Sequence, residues 1–439
     1  VAFDILQYAD EYWLGKADMK PYASGGLRKQ GLHAVGDGVW MFPAMGNVYI
    51  FETDDGLLMF DTGSAATATK LHTAVRELSD APLRNAVYTH GHIDHIWGTA
   101  RFDEEPGARP TVIAHENVVD RFDRYTRTAG YNTVINQRQF QAPGLTWPTV
   151  YRYPDLTYSS AMTLTQGELR VDMSHGRGET DDCTVGWFPD LGIVCTGDFF
   201  IWTSPNAGNP QKVQRYALDW AHKLREIASY GAELLLPGHG LPISGVDRVH
   251  EALTVSAEYL EFLEGVAVDG LNRGATLDEV LHGFELPAKF TEKRYLRPTY
   301  DEPEFVVRNA WRLYGGWYDG DPSNLKPVRR DSFGAAIVDL SGGTAKLIER
   351  ARRELTDGDE RLAARLIQIA ADADPQNPDV LDARAEIFTE LSTRATSTMT
   401  KGVYTWAASE SEAARQGRPV LEMLADRSKQ AYRDLLPGS

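Results

Sequence analysis

The pattern of hydrophobic and polar positions changes period about halfway along the chain. Up to roughly residue 250, short apolar runs bounded by turn residues alternate with helical stretches. HAVGDGVWMF (33–42), NVYIFET (47–53) and GLLMFDTG (56–63) read as strands. AATATKLHTAVREL (65–78) then takes helical spacing, with Leu71, Val75 and Leu78 on one face. NAVYT (85–89) is the next strand and runs directly into THGHIDHIWG. ELRVDM (168–173), CTVGWFP (183–189) and GIVCTGDFF (192–200) continue the strand series. VQRYALDWAHKLREIASY (213–230) predicts an amphipathic helix, and AELLLPGHG (232–240) a strand that ends on a glycine-flanked histidine. This alternation predicts a layered α/β domain whose chemistry sits on loops at strand ends.

From about residue 250 the pattern is helical. HEALTVSAEYLEFLEGV (250–266) opens it, and YGGWYDGDPSNLKP (314–327) interrupts it as an ordered turn. Residues 344–355, 360–376 and 378–395 read as successive helices with short connections, which predicts antiparallel hairpins. They resemble tetratricopeptide pairs, in too few copies for a solenoid. No ligand-type cluster lies here, so a structural or oligomeric role is expected. A length of 439 residues exceeds one ordinary core and predicts two domains, 1–265 and 266–439.

Composition narrows the function. A net charge of −17 speaks against coating nucleic-acid phosphates or anionic membranes. A local cationic site for an anionic small molecule stays compatible with it. The only cysteines, Cys183 and Cys195, read as free thiols. There is no membrane-length apolar run, and VAFDILQYADEYW is not a signal peptide, so a cytoplasmic location is expected, with a processed leader left open.

The chemistry concentrates in three loops. His90, His92, Asp94 and His95 fall within six residues at a strand end, where i and i+2 share a side. Imidazole and carboxylate groups so arranged suit Zn²⁺ or a related divalent ion. Asp198 in CTGDFF and His239 in LLPGHG follow two later strands. In HGRGETDD (175–182), His175, Glu179, Asp181 and Asp182 all compete for a further ligand position. Trp97, Trp147, Phe200 and Trp202 are candidate walls of an apolar pocket.

LLMFDTG, THGHIDHIWG, GDFF and PGHG together resemble the metallo-β-lactamase fold superfamily over roughly residues 30 to 245. The resemblance implies a four-layer αββα sandwich with a two-metal site at one sheet edge. It implies that His90 and His92 hold the first metal. Asp94, His95 and His239 would hold the second, with Asp198 between the two. Asp61 of FDTG would orient ligands without touching the metal. Laid over the family's H-T-P-G-H-T loop, HGRGET places His175 beside the site as a supporting group and Glu179 on the ligand position. Arg177 is expected to offset part of the added charge.

Glutamate at that position is a trait of the alkylsulfatase branch. AWRLYGGWYDGDPSNLKP and the helices from 351 to about 410 resemble that branch's connecting segment and dimerisation domain. The likeness implies a dinuclear zinc hydrolase that cleaves alkyl sulfate esters through a metal-bridging hydroxide, with Asp94 and Asp198 as catalytic carboxylates. It also implies a homodimer. Arg215, Lys212, Asn132 and Arg138 are the candidates for binding a small, possibly anionic ester. Three features depart from the branch. Aspartate replaces the bridging glutamate, the sulfate-contacting stretch AGYNTVINQRQF has altered spacing, and the C-terminal sterol-carrier-like domain is lacking. A same-fold hydrolase of a carboxylic ester, lactone or thioester is the alternative, and a non-catalytic scaffold the third reading.

Overall fold

The computed structural model describes residues 3–18, 31–107 and 109–434. The outer limits of the expected domains, residues 1 and 439, lie outside the described residues. The chain divides into two compact units, Val1–Arg127 with Pro148–Trp317 and Thr128–Trp147 with Tyr318–Ser439.

In the first unit, α1 (Ile5–Trp13) precedes β1 (His33–Gly36), β2 (Val39–Phe42), β3 (Val48–Thr53), β4 (Gly56–Phe60), α2 (Ala68–Leu78), β5 (Leu83–Val87), α3 (Thr99–Asp103), β6 (Thr111–His115) and α4 (Asn117–Arg127). α5 (Ala129–Phe140) belongs to the second unit. The chain returns through β7 (Leu156–Tyr158), β8 (Ala161–Gln166), β9 (Leu169–Gly176), β10 (Cys183–Phe188), β11 (Ile193–Ile201), α6 (Ala217–Ala228), β12 (Leu234–His239) and β13 (Ile243–Ser244). Four helices close the unit: α7 (Val246–Asn272), α8 (Leu277–His282), α9 (Ala288–Thr291) and α10 (Pro303–Gly315).

Two sheets form, one in the order β1 to β7 and one in the order β13-β12-β11-β10-β9-β8. Side chains alternate across a strand, and here both faces are buried, which explains the unbroken apolar runs. On β3 and β4, Tyr49, Phe51, Leu58 and Phe60 join the core between the sheets. Val48, Ile50, Leu57 and Met59 face the other way, onto Leu71 and Val75 of α2. Phe51 stacks on Phe188 of the second sheet at 4.2 Å between ring centres. Trp220 and Leu224 of α6, with Val249 and Leu253 of α7, share the core with Leu235 and Leu236 of β12. The expected four-layer αββα order is therefore present.

The run HAVGDGVWMF is a hairpin rather than one strand, because Gly38 takes a φ of 65° and turns the chain between β1 and β2. The stretch AGYNTVINQRQF, which the resemblance sets against a sulfate-contacting segment, is the helix α5.

The second unit continues with α11 (Arg330–Leu340), α12 (Thr344–Asp357), α13 (Glu360–Ala373), α14 (Pro378–Arg394), α15 (Thr398–Arg415) and α16 (Val420–Asp434). Each expected hairpin break has a local cause. Gly358, at a φ of 95°, ends α12, and Asp359 accepts from Leu362 N to start α13. Asn377 caps α14 and Pro378 occupies its first turn. Ile348, Ile367, Val380 and Ile387 form the core of this unit. Among the described residues, no helix is long and apolar enough to cross a membrane.

Candidate metal centre

The chemistry gathers at one end of the two sheets in the first unit. β4 ends at Asp61, which holds a φ of 56° although it is not glycine. This fully buried carboxylate accepts from Thr89 N at 2.7 Å and Thr89 Oγ1 at 2.8 Å. His95 Nδ1 lies 2.7 Å from its Oδ2. Burial pushes Asp61 up despite the His95 contact. A hydrogen bond from Nδ1 fixes the His95 tautomer and leaves Nε2 for a metal.

The loop after β5 carries the histidine block. His90 Nε2 and His92 Nδ1 face one another at 2.8 Å, and His90 Nε2 is 3.5 Å from Asp198 Oδ2. Burial, then neighbouring positive groups, holds both imidazoles well below their usual pKa, so they are neutral. Neutral imidazole is the form that ligates. Asp198 lies within β11, fully buried, and His239 ends β12 with Nε2 3.3 Å from Asp198 Oδ2 and 3.5 Å from Asp94 Oδ2. His95 Nε2 is 3.4 Å from His239 Nε2. Glycines make this crowding possible. A Cβ on Gly238 would collide with Asp198 Oδ1, and one on Gly46 with the Asp94 carbonyl and the His95 ring.

Two donor sets result. Ligand-type atoms of His90, His92, Glu179 and Asp198 lie within 4.8 Å of one another, as do those of Asp94, His95 and His239. Asp198 Oδ1 is buried without a hydrogen-bond partner. An unpartnered buried carboxylate oxygen and facing imidazole nitrogens are costly in a metal-free interior. The nitrogen and oxygen donors fit divalent ions such as zinc. The thiols stand apart, Cys183 Sγ lying 3.0 Å from Thr180 Oγ1.

The contested loop sorts itself. Glu179 is 6% exposed, inside the first donor set. Its Oε1 accepts from Asn206 Nδ2 and from Arg215 Nη1, the latter at 2.8 Å. Burial raises its pKa to about 7 against the pull of Arg215. Asp182 instead accepts from Arg121 Nε at 2.7 Å and from Gly91 N, between His90 and His92, at 2.9 Å. Asp181 pairs with Arg121 and accepts an Arg124 contact at 3.5 Å. His175 stacks on His115 at 3.5 Å, with Nδ1 2.9 Å from Cys183 O. Arg177 does not face Glu179. It pairs with Asp219 at 2.6 Å and lies over the Tyr216 ring, so Arg215 is the counter-charge.

The other expected residues are distributed as follows. Lys212 feels Glu179 and Asp94, and burial with Arg215 lowers its pKa to about 8. Asn132 and Arg138 lie on α5 of the second unit, where Asn132 Nδ2 donates to Thr128 O at 3.1 Å. Trp97 is half-buried and sits 5.9 Å from the Tyr151 ring. Phe200 and Trp202 are core residues packed with Tyr295, and Trp147 belongs to the second unit. Three supporting residues carry no motif signal. Arg121 clamps Asp182. Asn206 binds Glu179. Asn47 Nδ2 donates to Pro237 O at 3.0 Å and Gly240 O at 2.9 Å, fixing the turn that holds His239.

Comparison with known proteins agrees with this geometry. Residues 41–239 match the metallo-beta-lactamase superfamily, and residues 276–414 match the alkyl sulfatase dimerisation family. The chain is 27% identical over 403 residues to a linear primary-alkylsulfatase of Pseudomonas sp. (strain ATCC 19151), covering 85% of this chain and 75% of that protein. It is 25% identical to an (R)-specific secondary-alkylsulfatase of Pseudomonas sp., over 83% of this chain and 59% of the relative. The solved structure of the stereoselective inverting sec-alkylsulfatase Pisa1 from Pseudomonas sp. superimposes with a TM-score of 0.79 at 25% identity, over 89% of this chain and 66% of that one. The chain thus spans 59% to 75% of the length of these relatives. Its fold and site are those of a metallo-β-lactamase-type protein. More narrowly, it joins a metallo-β-lactamase domain to an alkylsulfatase dimerisation domain, and the relatives it resembles over most of its length are alkylsulfatases.

Asp182 and Arg121 are both almost wholly buried, so removing Asp182 leaves Arg121 with the partly exposed Asp181 in place of a buried partner and takes the acceptor from Gly91 N. Asp182→Ala is expected to lower stability by about 3–5 kcal/mol, read as a shift in urea midpoint, with Arg121→Met recovering part of the loss in the double variant. An unchanged midpoint would mean that water replaces the carboxylate.

Proposed function

We propose that the protein is a dinuclear zinc hydrolase of alkyl sulfate esters. The observation that carries this reading is the pair of adjacent donor sets, His90–His92–Glu179–Asp198 and Asp94–His95–His239, in a chain whose relatives are alkylsulfatases. His90, His92 and Glu179 would hold one ion and Asp94, His95 and His239 the other, with Asp198 shared. Bound there, divalent ions acidify water and polarise an ester oxygen.

The chain's own residues do the rest. Asp94 and Asp198 orient the attacking water and take up its proton. Asp61 holds His95 in the tautomer that frees Nε2. Arg215 neutralises Glu179, so a carboxylate ligand does not leave the site with an extra negative charge. Half-buried Lys212 is the candidate cation for an anionic ester, because Glu179 and Asp94 of the two donor sets are among its electrostatic neighbours. The core between the sheets excludes solvent behind the site, which strengthens these interactions. The match of residues 276–414 to the dimerisation family supports a homodimer.

Incubation of the purified protein with dodecyl sulfate is expected to release inorganic sulfate and dodecanol. Turnover of lactones, thioesters or aryl esters with no sulfate release moves the assignment to a carboxylic-ester hydrolase of the same fold. Glu179→Ala is expected to lower bound zinc from two ions per chain towards one, read by elemental mass spectrometry. Unchanged stoichiometry removes Glu179 from the ligand set. Light scattering is expected to give about twice the 48.8 kDa chain mass at micromolar concentration, and a monomer would refute the dimer.

A further inference from the structure

The segment that grips Glu179 is itself held by residues far outside the superfamily match, which ends at residue 239. Asn206 and Arg215 both donate to Glu179 Oε1. Between them the chain runs as a loop from β11 to α6, and its backbone is tied to residues 297–309 of the same unit. Ser204 N donates to Arg297 O at 3.0 Å, and Ser204 Oγ to Asp301 O at 3.0 Å. Gly208 N donates to Asp301 Oδ2 at 2.5 Å. Asn309 Nδ2 donates to Ala207 O at 2.8 Å and to Arg215 O at 2.9 Å. Its Oδ1 accepts from Arg312 Nη2 at 3.0 Å.

An amide nitrogen has two protons, and Asn309 commits both to this loop. The two carbonyls it joins are adjacent in sequence to Asn206 at one end and belong to Arg215 at the other. One buried side chain therefore closes the base of the loop whose two ends hold Glu179. Asn309 is 7% exposed and Asp301 fully buried, so water does not substitute freely for either. The helix start is pressed on bare backbone, because a Cβ on Gly208 would strike the main chain of Phe305 and Val306.

We propose that Asn309, backed by Asp301, is a positioning residue that sets the reach of Arg215 and Asn206 to Glu179 and so completes the metal centre from α10. This rests on the reading of Glu179 as a ligand. The alkylsulfatase-type half of the sequence then has a role at the chemistry as well as in assembly. Outer groups that orient ligands typically change metal affinity by about 10- to 100-fold.

The test uses the full chain loaded with zinc, followed by a timed challenge with EDTA and elemental analysis of the retained metal. Asn309→Ala is expected to lose one of its two ions about tenfold faster than the unaltered protein, with the other retained and the melting temperature close to the original. Arg308→Ala, on the same helix and paired only with the neighbouring Glu304, is expected to release metal as the unaltered protein does. If Asn309→Ala does not fold, Asp301→Asn is read in its place. Both Asp301 oxygens accept from backbone amides, Gly208 N and Glu302 N, and asparagine keeps only one acceptor at the same size, so faster loss of one ion is again expected. Two ions released at the original rate from a folded variant overturn the inference alone. An unaltered protein that takes up no zinc overturns the metal-site reading and the inference with it.

Discussion

Buried negative charge is the constraint on which the first unit is organised. Asp61, Glu179, Asp182 and Asp198 are each 6% exposed or less, within loops that meet at one end of the sandwich. A carboxylate removed from water is costly unless paired, and each has been given a different partner. Asp61 holds His95 and the Thr89 backbone. Asp182 holds Arg121 and the amide between the two histidines. Glu179 holds Arg215 and Asn206. Asp182 and Asp198 each keep one oxygen without a hydrogen-bond partner, and Asp198 lies within 3.6 Å of nitrogens of His90, His95 and His239, where the two donor sets meet. Asp61 and Asp182 thus hold the scaffold, while Glu179 and Asp198 lie together in a donor set.

The charged partners come from different layers, which is why the site depends on the whole fold. Arg121 comes from α4, beside the first sheet, and Arg215 from the approach to α6, beside the second. The candidate ligands come from the loops after β5 and β9, from within β11 and from the last residue of β12. The hydrophobic core between the sheets, centred on Phe51, Phe60 and Phe188, sets the spacing of those loops. Close packing transmits small volume changes, so the core holds the ligand geometry to a fixed separation. Gly46 and Gly238 complete that economy of space by letting backbone occupy what a side chain would fill.

Much of this was legible in the sequence, and the boundary has a physical basis. The strands could be read because both faces of β3 and β4 are apolar. The ligand block could be read because four ligand types within six residues at a strand end have few structural explanations. The hidden residues act at long range. Asn47 meets Pro237, Arg121 meets Asp182, and Asn309 meets Ala207, pairs that no local spacing encodes. Arg177 illustrates the error that proximity invites. It lies two residues from Glu179, yet the loop turns it towards Asp219 and Tyr216. The helix α5 was hard to read for a related reason: it packs against Gly402 within the same unit, where a Cβ would meet the Gln139 backbone, a contact that no local spacing encodes.

The glutamate in HGRGETDD carries a consequence for the rest of the chain. A neutral imidazole at that position would need no counter-charge, and the loop before α6 would be free to vary. A carboxylate there needs a cation within hydrogen-bond reach, and a buried cation needs its own reach fixed. Arg215 supplies the charge at 2.8 Å, and its backbone carbonyl is in turn held by Asn309 of α10. With Glu179 read as a ligand, as proposed, the exchange of one ligand type propagates outwards, from carboxylate to arginine to a helix beyond the superfamily match. On this account the extra helices and the carboxylate ligand are two parts of one arrangement, since neither Arg215 nor Glu179 is stable in its buried position without the other.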